Sequence, residues 1–109
     1  MQVNVKFEVL TLEFLEQIRD HGCKILHLSP CMLEIKNGQS MLIIEDKSHK
    51  MVEISTDQLQ EILTPKFGGP LKVSVVIIDQ LNCYHAFSQV FKNLGVAHII
   101  SFDINKALI

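Results

Sequence analysis

The stretch LKVSVVIIDQLNCYHAFSQVFKNLGVAHIISF, residues 71–102, decides the fold. Leu71 to Ile78 is almost continuous apolar sequence, the pattern of a strand buried on both faces of a sheet. After Asp79 to Asn82, the residues Phe87, Val90, Phe91 and Leu94 recur at helical spacing, and Gly95 suits the left-handed turn that ends a helix. Val96 to Phe102 is a further apolar run of strand length. Strand, helix, strand in this order is a parallel βαβ unit, with a right-handed crossover as the default.

The opening third has the same architecture in weaker form. Val3, Val5, Phe7 and Val9 alternate with Asn4, Lys6 and Glu8, which predicts a strand with one buried face. Thr11 suits an N-cap, Leu12, Leu15 and Ile18 follow at helical spacing, and Gly22 suits the C-terminal turn. Lys24 to Ser29 (KILHLS) is a short apolar run that Pro30 stops. The middle differs. Met32–Ile35 and Met41–Ile44 flank Lys36-Asn37-Gly38-Gln39, and Asn-Gly is a strong hairpin signal. Asp46 to Lys50 is a polar turn before another short strand, Met51 to Ile54. Ser55-Thr56-Asp57-Gln58 has the form of a capping box, with Leu59, Ile62 and Leu63 behind it and Pro65 ending the helix. Phe67-Gly68-Gly69-Pro70 is a loop. The pattern predicts one α/β domain over residues 1–109, a mostly parallel sheet of about four to six strands with a β-hairpin insertion.

Composition excludes several classes of function. Leu, Ile, Val and Phe number 41 of 109 residues, too many for a disordered chain. Ten basic residues face twelve acidic ones, and no Lys/Arg run offers a footprint for nucleic acid. Apolar runs such as Val75–Ile78 are far shorter than a bilayer span, so no membrane role is expected. The first twenty residues carry Glu8, Glu13 and Glu16 and lack an apolar core, so no signal peptide is read there. Three cysteines without paired spacing fit reduced thiols in a cytoplasmic or nuclear compartment, and a cytoplasmic location is expected. The FGGP loop lacks the Lys-Ser/Thr of a phosphate loop and no GxGxxG occurs, so no cofactor is expected.

In a parallel sheet, chemistry collects beyond the carboxyl ends of the strands. That rule selects Cys31 after the KILHLS strand, then Asp79, Asn82, Cys83, Tyr84 and His85, and Asp103 after the last strand. Cys83 falls within the first turn of a helix, where unpaired N–H groups favour a thiolate nucleophile. The alternative is a small side chain packing the strand–helix junction. His27 and His98 lie inside strands, and His21 and His49 fall at a helix end and in a polar turn. His85 is two positions from Cys83, which on a helix points the two side chains to different faces. Cys23, His27, Cys31 and Cys83 lack the paired spacing of a zinc site, so no metal is expected.

Read together, these pieces resemble the CHAT domain, a caspase-like relative of the clan-CD cysteine peptidases. The resemblance rests on Thr11–Glu13 leading into a helix, ILHLSPCM (Ile25–Met32), MLIIED (Met41–Asp46), ISTDQLQEIL (Ile54–Leu63), VVII (Val75–Ile78), Cys83 and VFKNLGVAHIISF (Val90–Phe102). It runs through nearly the whole chain in order. It implies a caspase-like three-layer fold, incomplete here relative to the longer family domain. In active members a His-Gly pair follows the HLS-type strand and a cysteine follows the next long buried strand. By position, Cys83 corresponds to the nucleophile, Cys31 to the catalytic histidine and Met32 to its glycine. His27 matches an upstream strand histidine that is not catalytic, and Leu81-Asn82-Cys83 replaces the usual Ser-Ala-Cys.

A thiol at position 31 cannot shuttle protons as an imidazole does, and Met32 would crowd an oxyanion site. The resemblance therefore implies a peptidase-derived domain without catalysis, acting as a protein-interaction or regulatory module. Its partner would be a protein or peptide, met at a sheet edge or by a homo-oligomer. An active cysteine endopeptidase is the competing expectation, with Cys83 as nucleophile and His85 or His27 as base. A small α/β binding domain unrelated to caspases is the third.

Overall fold

The computed structural model describes residues 10–29, 32–79 and 81–101. The strand expected over residues 3–9 lies outside them, as do Cys31 and Asp103. In chain order the first half holds α1 (Leu12–His21), β1 (Cys23–Leu28), β2 (Leu33–Lys36), β3 (Gln39–Glu45) and β4 (Met51–Ser55). The second half holds α2 (Thr56–Leu63), β5 (Val73–Ile78), α3 (Leu81–Asn93) and β6 (His98–Ser101).

Local chemistry sets most of these boundaries. The Phe14 N–H donates to the Thr11 hydroxyl at 3.1 Å, which caps α1. Gly22, at φ 74°, ends it with its N–H on the Ile18 carbonyl at 2.8 Å. Asn37 and Gly38, at φ 52° and 78°, form the turn with two left-handed residues that a tight hairpin requires. Both arms of the capping box form at α2: the Gln58 N–H donates to Ser55 Oγ at 3.2 Å, and the Ser55 N–H donates to Gln58 Oε1 at 2.8 Å.

The strands do not share one sheet. β1, β5 and β6 form a parallel sheet in the order β1-β5-β6, and β2, β3 and β4 form an antiparallel sheet in that order. Among the described residues the parallel sheet therefore has three strands, and the strands of the expected hairpin insertion form a separate antiparallel sheet. Short turns pair β2, β3 and β4 antiparallel to one another, whereas longer crossovers bring β1, β5 and β6 together, and Glu45 at the end of β3 also bridges Thr11 in parallel. Helix α3 contacts β5 and β6 of one sheet and β2 and β3 of the other, and α2 packs between α1 and α3. The arrangement is α/β, and the core lies where the helices meet the two sheets.

A second correction concerns β5, which was expected to be buried on both faces. Val76 and Ile78 face the helices and are buried, together with Leu26 and Leu28 of β1. Val75 and Ile77 point the other way and are half-buried. Beside them Ile25 is 62% exposed and Ile100 49% exposed. The apolar run at β5 reflects its place between two strands, which shield Val75 and Ile77 laterally even though no described helix covers them.

The start of the parallel sheet depends on one close approach. The Cys23 N–H donates to the Lys72 carbonyl at 2.9 Å. A Cβ on Gly22 would strike that carbonyl and lie 2.7 Å from Lys72 Cβ. Gly22→Ala therefore meets both a left-handed backbone and a backbone collision, and should cost roughly 2–3 kcal/mol in urea unfolding. Gly38 has open space around it. Gly38→Ala should lose only the left-handed preference, about 1 kcal/mol. Equal losses for the two variants would contradict this assignment.

Candidate functional site

The parallel register decides which side chains meet at the carboxyl rim. Leu28 of β1 lies beside Ile78 of β5, so Ser29 and Asp79 leave the sheet at the same level. The Asp79 N–H donates to the Leu28 carbonyl at 3.0 Å, extending the pairing by one residue. The Met32 N–H donates to the Ser29 carbonyl at 3.0 Å. Met32 itself packs partly buried against the core.

His27 stands on the outer face of the sheet, in the same row as Ile25 of its own strand and Ile77 of the next. Its Nε2 lies 3.3 Å from Asp79 Oδ2, a distance at which an imidazole N–H donates to the carboxylate. The ring remains half exposed. Cys83 belongs to the opposite side. It is fully buried beneath α3, in one cluster with Val76, Ile78, Phe87 and Phe91.

The helical stripe explains that burial. Phe87, Val90, Phe91 and Leu94 are all buried, as their spacing predicts, and Cys83 lies four residues before Phe87 on the same face. The sheet thus separates His27 from the face on which Cys83 is packed. His85 is exposed, with its ring edge-on to Tyr84 at 5.8 Å. The Tyr84 hydroxyl donates to the Ile99 carbonyl at 3.3 Å and ties α3 to β6. The structure brings together His27 and Asp79, a pair 52 residues apart that needed the strand register to be seen. It leaves His85 facing solvent while Cys83 faces the core.

The remaining candidates are dispersed. Cys23 is half-buried, and burial pushes its thiol pKa up, which favours the unreactive protonated form. His21 and His98 are exposed. His49 is also exposed, at φ 64° in the β3–β4 turn, and its Nδ1 lies 2.8 Å from Glu45 Oε1. Among the described residues no group of three or more His, Cys, Asp or Glu side chains is gathered for a metal. Nor is any helix among them long and apolar enough to cross a membrane.

Sequence reasoning missed the exposed apolar residues. Ile25, Ile100 and the fully exposed Phe67 are the outstanding ones near the parallel sheet and in the FGGP loop. The alternation of Ile25 and His27 with Leu26 and Leu28 was the available signal, since it sets two different faces. Comparison with known proteins adds nothing to these observations: no family model, curated protein or solved structure matches the chain significantly.

Two measurements check this geometry. Iodoacetamide should alkylate Cys83 in the native chain on the order of 100-fold more slowly than in urea, because reaction must await local opening of the core. Rapid native labelling of Cys83 would contradict its placement. The second concerns His49, whose pKa is raised by its hydrogen bond to Glu45, with attraction to that carboxylate adding to it. A raised folded-state pKa gives stabilisation that is fully present below the unfolded value, about pH 6.5, and lost as pH rises through the folded one. NMR titration should place the His49 midpoint above that of the urea-unfolded chain, and Glu45→Gln should move it down. An unchanged midpoint in Glu45→Gln would show that the pair does not form.

Proposed function

We propose that this chain is a CHAT-like domain derived from a cysteine peptidase fold, without peptidase activity, that works as a protein-interaction or regulatory module. The observation carrying this reading is the open face of the parallel sheet. Ile25, Val75, Ile77 and Ile100 form an apolar patch across three strands, bordered by His98 and by the His27–Asp79 pair. Exposed Ile25 and Ile100, joined by half-buried Val75 and Ile77 on the strand between them, mark a surface that gains by being covered. An apolar centre without Lys or Arg beside it suits a protein or peptide partner better than a phosphate backbone.

Two further features support the reading. The HLS strand and the strand preceding Cys83 are parallel neighbours, so the segments after them start from the same edge of the sheet. At those positions this chain has Cys31 in place of histidine and Met32 in place of glycine. Cys83 is packed in the core, whereas His27 is paired to Asp79 on the other face of the sheet.

The test uses the apolar dye 8-anilinonaphthalene-1-sulfonate (ANS) with the full chain. The native chain should bind the dye saturably. The double variant Ile25→Glu/Ile100→Glu should lose most of that binding while its unfolding free energy changes by less than about 1 kcal/mol, as expected of exposed positions. A native chain that fails to bind the dye, or a double variant that unfolds, would overturn the reading of this face as an open docking surface.

A further inference from the structure

We draw no further inference here: the strongest candidate, the apolar outer face of the β1-β5-β6 sheet around Ile25, Ile77 and Ile100, already carries the proposed function, and nothing in the structure shows what covers it.

Discussion

The approach of Gly22 to Lys72 is the contact on which the rest of the arrangement depends. It admits the Cys23 N–H to the Lys72 carbonyl and so starts β1 and β5 in a fixed parallel register. Because side chains alternate along a strand, that register also settles which residues share a face. Leu26 and Leu28 join Val76 and Ile78 beneath the helices, while Ile25 and His27 join Val75 and Ile77 on the outer surface. A slip of one residue would exchange the two sets. The same register delivers Asp79 to the level of Ser29, within reach of His27.

Helix α3 then decides the character of Cys83. Its buried stripe of Cys83, Phe87, Val90, Phe91 and Leu94 packs against β5 and β6. Its place in the first turn of the helix does not make the Cys83 thiol accessible. His27 has a carboxylate partner but stands on the far side of the sheet. The strand register thus places His27 and Cys83 on opposite faces of the parallel sheet.

Much of the local structure was legible because it depends on neighbours in sequence. The Thr11 cap, the Gly22 stop, the Asn37-Gly38 turn and the Ser55–Gln58 box each involve residues within a few positions of one another. The α3 stripe was legible from Phe87 onward, and extending the same spacing back by one turn would have placed Cys83 in the core. The division into two sheets was not legible, since apolar periodicity identifies strands but says nothing about which strand pairs with which. For the same reason the His27–Asp79 pair and the open face around Ile25 and Ile100 emerged only with the register. A near-continuous apolar run such as VSVVII does not distinguish burial under two helical layers from burial under one with lateral shielding.

The parallel sheet has one packed face and one open face. Comparing Leu26→Ala with Ile25→Ala, adjacent positions on β1, tests it most directly by equilibrium urea unfolding. Leu26 is buried against the helices and Ile25 is largely exposed, so the first variant should lose about 2–4 kcal/mol and the second less than about 1 kcal/mol. Losses of equal size would mean that both faces are packed, and the open surface on which the account rests would not exist.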